Sequence, residues 1–174
     1  MLLNKWINPK YLKESNIQRL KRQFKSNEPF SHLELNDFFI KTRAEELLLN
    51  IQKENFAQKE SDLFKFAQTE DFASTKNHIL KDLRTFLSSH DFMNLIGKLT
   101  GLHLKENKID ISGSLYKSTD FLLPHDDRSE GRKVAFMIYL TFLNQKDGGS
   151  LNLMKKKGKD IISNKKLYPK FNTF

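Results

Sequence analysis

A chain of 174 residues with 38% hydrophobic and 29% charged residues has the size and composition of one globular domain, and its fifteen phenylalanines are more than a disordered segment carries. It contains no cysteine, which excludes disulfides, thiolate metal sites and cysteine nucleophiles, so any metal must be held by His, Asp, Glu or backbone oxygen. The formal charge of +9 is concentrated at the ends: residues 5–25 hold seven Lys/Arg against one Glu, and residues 155–174 hold seven Lys against one Asp. Such ends are either a solvated lysine-rich surface or a contact for RNA or a ribonucleoprotein. No apolar run reaches membrane-spanning length, and the opening MLLNKWINPKYLK has neither an apolar core nor a cleavage site of signal-peptide type; a cytoplasmic protein is expected.

In chain order, Asn8-Pro9 is expected to open a first helix, with Leu12, Leu20 and Phe24 as its apolar stripe and Glu28-Pro29 as its end. His32-Leu33-Glu34-Leu35 alternates like a short strand. Thr42-Arg43-Ala44-Glu45 reads as a capping box opening a helix that buries Leu47, Leu48 and Ile51. Phe64-Lys65-Phe66 suggests a strand, and residues 75–88 and 90–99 suggest two more helices, the second stopped by Gly101. From residue 108 the period becomes two. Ile109 and Ile111 alternate with charge, and residues 134–142 form an apolar run of the kind buried on both faces. Asp147-Gly148-Gly149 marks a turn before Leu151 and Leu153, residues 155–160 read as a charged loop around Gly158, and Phe171 to Phe174 begin another strand. Helices followed by clustered strands indicate an α+β domain spanning 1–174, with 1–104 mainly helical support and 105–174 supplying the β core.

The chemistry is concentrated in GSLYKSTDFLLPHDDRSEGRKVAFMIYLT at 113–141 and DGGSLNL at 147–153. His125-Asp126-Asp127 contains H-x-D. On a strand, alternate residues share a face, so His125 and Asp127 would project together, as two of the three ligands of a 2-His-1-carboxylate iron site do. Alone, H-x-D is common and more often a turn with a capping Asp. Here it is embedded in Tyr116, Leu122-Leu123, Gly131-Arg132, Phe136-Met137-Ile138-Tyr139-Leu140 and Gly148-Gly149. In order and spacing the whole resembles the prolyl-hydroxylase-like 2-oxoglutarate oxygenases, most closely the ribosomal-protein prolyl hydroxylases. PFSHLELNDFF at 29–39 and DLFKFAQTEDF at 62–72 are similar to the N-terminal text of that branch.

The resemblance implies a double-stranded β-helix (jelly-roll) core with its last strands missing and N-terminal helices packed on it. It implies Fe(II) on His125 and Asp127, 2-oxoglutarate as cosubstrate with Tyr116 donating to a carboxylate, ascorbate as helper, and a protein substrate carrying the target proline, in this branch ribosomal. For Tyr116 a plain core aromatic is the competing reading. Beyond the two metal ligands no catalytic residue is expected. His32, His78, His90 and His103 lack partners at metal spacing, and Arg132 and Lys155-Lys156-Lys157 read as structural or solvated. The sequence departs from the family in one respect. No His follows His125 and no Arg follows Arg132, whereas the family's second His and its carboxylate-binding Arg come later. LYPKFNTF resembles the Pro-x-x-Asn entry to the strand before that His, so a truncated gene product or fragment is expected, with disabled catalysis. A non-catalytic module of the same fold docking on RNA or a ribonucleoprotein is the alternative, and a cupin-type β-sandwich a third that leaves the helical half unexplained.

Overall fold

The structure, a computed structural model, describes residues 2–106, 108–127 and 131–174. Helices α1 (Leu3–Trp6), α2 (Glu14–Ser26), α3 (Lys41–Ile51), α4 (His78–Leu87) and α5 (His90–Thr100) enclose the main core. Two of them start where their sequence provides a cap. Asn77 and Ser89 each turn a side-chain oxygen onto a backbone N–H of the first turn, of Ile79 and Phe92. Gly101 closes α5 at φ 79°, a left-handed position that glycine adopts without strain. The apolar positions then fall on one face: Ile79, Leu80, Leu83, Phe86 and Leu87 of α4, and Phe92, Leu95, Ile96 and Leu99 of α5. Trp6 stacks on Phe86 at 5.1 Å between centroids. Each such ring contributes roughly 2–3 kcal/mol by burial.

Antiparallel strands β1 (Ala57–Glu60) and β2 (Phe64–Gln68) pair along their length. On the other edge of β2 lie β3 (Ser114–Leu115) and β4 (Phe121–Leu122), which pair with its two ends. They are one strand interrupted by an excursion through residues 116–120. Gly113 lets this strand approach α3, because a Cβ there would stand 2.6 Å from the Ile51 side chain. A hairpin of β5 (Leu151–Lys157) and β6 (Asp160–Leu167) forms a second, separate sheet.

The last four residues are woven into the core. Leu35 and Phe174 exchange both backbone hydrogen bonds, at 2.9 and 3.1 Å, and Tyr139 exchanges bonds with Asn172 and Thr173, at 2.8 Å each. Residues 172–174 thus run between the segment at 35–38 and that at 139. The Phe174 ring stacks on Phe38 (4.4 Å) and Phe136 (5.4 Å), with its edge relation to Phe92 at 6.0 Å. Asn172, buried and at φ 60°, accepts from the Phe39 N–H through Oδ1 and donates from Nδ2 to the Phe39 carbonyl, both at 2.9 Å.

Helices combined with antiparallel sheet are what the sequence indicates, but several boundaries differ. Asn8-Pro9 opens only a 3-10 turn, Pro9–Tyr11, capped by Asn8, and the long helix starts at Glu14. α3 begins at Lys41 with Ile40 as its cap residue, so Thr42 lies inside the first turn and forms no capping box. Residues 32–35 are extended and paired with the chain's last residues rather than part of a regular strand. The run at 134–142 is extended but covered on one side: Val134, Phe136, Ile138 and Leu140 pack on the core, while Met137 and Phe142 are exposed. β5 continues through Lys157, so the charged loop around Gly158 shrinks to the tip of the hairpin.

Two stability predictions follow from this packing. Replacing Asn172 with Ala leaves the buried Phe39 N–H and carbonyl without partners and forces a Cβ-bearing residue with no local hydrogen bond into a left-handed conformation. Urea unfolding should report a loss of about 3 kcal/mol, with Asn172→Gly recovering roughly 1 of it. Burial, the nearby Asp37 carboxylate and, in opposition, Arg19 together push the Tyr11 phenol up to about 12, and its hydroxyl donates to the Asn36 carbonyl. The folded state therefore holds this proton more tightly than the unfolded chain, whose tyrosines ionise near 10. Stability is fully present below pH 10 and falls as pH rises toward 12; Tyr11→Phe should remove that alkaline loss in a pH series of melts.

Candidate metal and cosubstrate site

His125 and Asp127 follow directly from β4. The Leu63 carbonyl accepts the Leu123 N–H (2.9 Å), which fixes the end of that strand, and the Leu123 carbonyl lies 2.9 Å from Nδ1 of His125. A carbonyl can only accept, so Nδ1 carries a proton, and in the neutral ring Nε2 is the nitrogen that presents a lone pair. Nε2 faces Asp127 Oδ1 at 3.5 Å, with the two side chains 48% and 56% exposed. One imidazole nitrogen and one carboxylate oxygen converge at an accessible edge, with the histidine tautomer set by a backbone group as in metal sites. The segment bends at Pro124 and is not a paired strand at these residues.

Tyr116 opens the excursion between β3 and β4. Its ring stacks on Phe66 of β2 at 5.1 Å and 24°, and it is 46% exposed. Burial and the Asp120 carboxylate raise its pKa above the ordinary tyrosine value. Tyr139 is raised as well, by burial, by Glu34 and by Tyr116 itself, so the two phenols lie within electrostatic reach of each other. Both are protonated donors at neutral pH, the state a phenol needs to bind a carboxylate. The excursion is held by Asp120, whose Oδ2 accepts the Lys117 N–H at 2.8 Å while its own N–H donates to the Lys117 carbonyl at 3.1 Å. At its tip Thr119 sits at φ 75°, a conformation unfavourable for a β-branched residue.

Among the described residues no third His, Asp or Glu joins His125 and Asp127. Arg128 lies outside the described residues. Arg132 is half-exposed, 3.7 Å from Asp110, and lines an open cleft of about 440 Å³ with Lys59, Gln68, Asp71 and Ser112. Of the other histidines, His90 is engaged with Glu106, and His32 with the Phe30 carbonyl and Lys165. The proximity of Tyr139 to Tyr116, and the looping-out that places Tyr116, are not legible in the sequence. The Ser118-Thr119-Asp120 run, polar between two apolar pairs, was the available signal for the latter.

Residues 111–174, which contain Tyr116, His125 and Asp127, match the model of the 2OG-Fe(II) oxygenase superfamily. Residues 111–174 thus belong to a 2OG-Fe(II) oxygenase domain. The chain is 40% identical over 148 residues to prolyl 3-hydroxylase OGFOD1 of Xenopus laevis, covering 83% of this chain and 27% of that protein. To prolyl 3-hydroxylase OGFOD1 of Mus musculus it is 37% identical, covering 72% and 23%. To prolyl 3,4-dihydroxylase OGFOD1 of Ostreococcus tauri it is 32% identical, covering 72% and 27%. The chain thus spans about a quarter of the length of these relatives. Fe(II) and 2-oxoglutarate are the metal and cosubstrate of this oxygenase family, and no helix among the described residues is long and apolar enough to cross a membrane.

The strained tip beside this site gives a clean test. Thr119→Gly relieves the left-handed β-branched residue, and after the entropy of the added glycine it should stabilise the chain by about 0.5–1 kcal/mol, raising the melting temperature by a few degrees.

Proposed function

We propose that this chain is the part of an Fe(II)- and 2-oxoglutarate-dependent prolyl hydroxylase that holds iron through His125 Nε2 and Asp127 Oδ1 and binds 2-oxoglutarate through Tyr116. The observation that carries this reading is the convergence of Nε2 and Oδ1 at 3.5 Å with Nδ1 tied to the Leu123 carbonyl. Two donors of a facial triad fit an iron(II) ion; the third would come from residues beyond those described. Iron with 2-oxoglutarate and oxygen would supply the oxidising power that converts a prolyl C–H to C–OH while 2-oxoglutarate becomes succinate and carbon dioxide, with ascorbate keeping the metal reduced.

The chain's own residues supply position. Tyr116, braced on Phe66 and protonated, would donate to a 2-oxoglutarate carboxylate. Asp127, half-exposed, would complete the metal's charge balance, and the carbonyl of Leu123 would keep the imidazole turned toward the metal. The sheet and hairpin would belong to a double-stranded β-helix. The substrate would be a proline in a protein, by resemblance a ribosomal one, met in the cytoplasm. A non-catalytic binding module of the same fold is the competing reading, and metal binding separates the two.

Titration with Mn(II), followed by electron paramagnetic resonance, should show weak binding by these 174 residues, with two protein ligands instead of three. Binding should disappear in His125→Ala and in Asp127→Ala. Unchanged binding in either variant would place the metal elsewhere and remove the basis of the proposal. The chain has no His after His125 and no Arg after Arg132. By itself it should therefore release no measurable carbon dioxide from labelled 2-oxoglutarate, because nothing described replaces the cation that pairs the far carboxylate. Release of carbon dioxide that depends on Asp127 would overturn that expectation.

A further inference from the structure

The basic C-terminal end of the sequence packs against the segment at 28–34 that follows the basic helix α2. Lys155 of β5 lies 3.3 Å from Glu28, Lys165 of β6 lies 2.9 Å from His32 Nε2, and Lys170 lies 3.8 Å from Glu34. The hairpin therefore docks against the segment that leaves the basic helix α2 at Ser26, a turn beyond its exposed Lys25. Between the two arms stands Phe30, 52% exposed, with His32 edge-on to its ring at 6.1 Å. This pair is not used by the metal and cosubstrate site.

The protonation pattern keeps this surface cationic. His32 Nδ1 lies 2.8 Å from the Phe30 carbonyl, so it bears the proton and Nε2 accepts from Lys165. Lys165 is thus engaged by a neutral ring that leaves its charge uncancelled. The carboxylates in the patch, Glu28 and Glu34, are each held by one lysine, and residues 155–174 as a whole carry seven Lys against one Asp.

We propose that the face formed by Phe30, His32, Lys155 and Lys165 binds a single-stranded nucleic acid, with lysines along the phosphates and a base stacked on Phe30. An exposed aromatic ring beside Lys165, whose partner is a neutral ring, with further lysines along the same hairpin, is an arrangement that binds unpaired bases without sequence preference. A duplex keeps its bases stacked internally and has no use for the ring, and an acidic peptide would use the lysines alone. The inference is independent of the iron site.

Fluorescence polarisation of a labelled oligouridine of about 15 nucleotides, titrated with the whole 174-residue chain at several salt concentrations, tests it. The logarithm of the association constant should fall linearly with the logarithm of salt concentration, with a slope of about 0.7 per phosphate contact. Phe30→Ala should weaken binding about tenfold with the salt slope unchanged, and Phe30→Trp should restore it. Lys165→Gln should instead reduce the slope by about 0.7. An oligothymidine arm distinguishes RNA from DNA as the strand preferred, and binding of either supports the proposal. Absence of binding, equal affinity for duplex RNA or polyglutamate, or an unaltered affinity in a folded Phe30→Ala variant would overturn it.

Discussion

The paired hydrogen bonds between Asn172 and the backbone of Phe39 tie the two halves of this molecule together. An amide side chain that both accepts and donates substitutes for a strand partner where regular pairing has stopped. It fixes residues 172–174 between the segment at 35–38 and Tyr139, and it brings Phe174 against Phe38 and Phe136. The run at 134–142 is tied to the same residues through the backbone bonds of Tyr139, so the bond pair also helps to hold that run on the helical core. The left-handed backbone at Asn172 has a cost, but asparagine bears it better than other residues with a Cβ.

The sequence discloses the helical layer well because helix burial is periodic and local. The stripes of α4 and α5, and the glycine that ends α5, are visible without any tertiary information. The strands are less legible because their partners are distant. His32 to Leu35 alternates as a strand should, yet its partner is the other end of the chain, and what forms is a few exchanged bonds rather than a ladder. The run at 134–142 reads as doubly buried because every residue in it except Thr141 is apolar or aromatic. Among the described residues only one face is covered, and the alternation of Phe136 with exposed Met137 emerges from packing, not composition.

For the proposed site, the sequence nominates residues but not how they are held. H-x-D spacing predicts a shared face on a strand, and the two groups do come together at 3.5 Å. They do so on a segment past the last paired residue, where the side chains are positioned by the Leu123 carbonyl instead of by a ladder. Tyr116 lies beside β3 as its place in the pattern suggests, but its orientation depends on an excursion of five residues that no period reveals. Phe66, opposite the gap, receives the ring that a continuous strand would have replaced with a cross-strand neighbour.

The helical half then positions the proposed site. β2 touches the site from both sides of the excursion: through Leu63, the residue just before it, to Leu123 and His125, and through Phe66 to Tyr116. The same strand segment is located against α3 by Gly113, where Ile51 occupies the space a side chain would need. The imidazole's tautomer and the phenol's position are therefore both set by one short sheet seated on the helices. A change at Gly113 or Ile51, remote from both donors in sequence, would act on both through the same strand. A change at Asp120 would move Tyr116 while leaving the bond between His125 and Leu123 in place. On the proposed assignment, metal affinity and cosubstrate affinity would be separable by mutation even though one sheet carries both groups, because the excursion uncouples the phenol from the strand that orients the histidine.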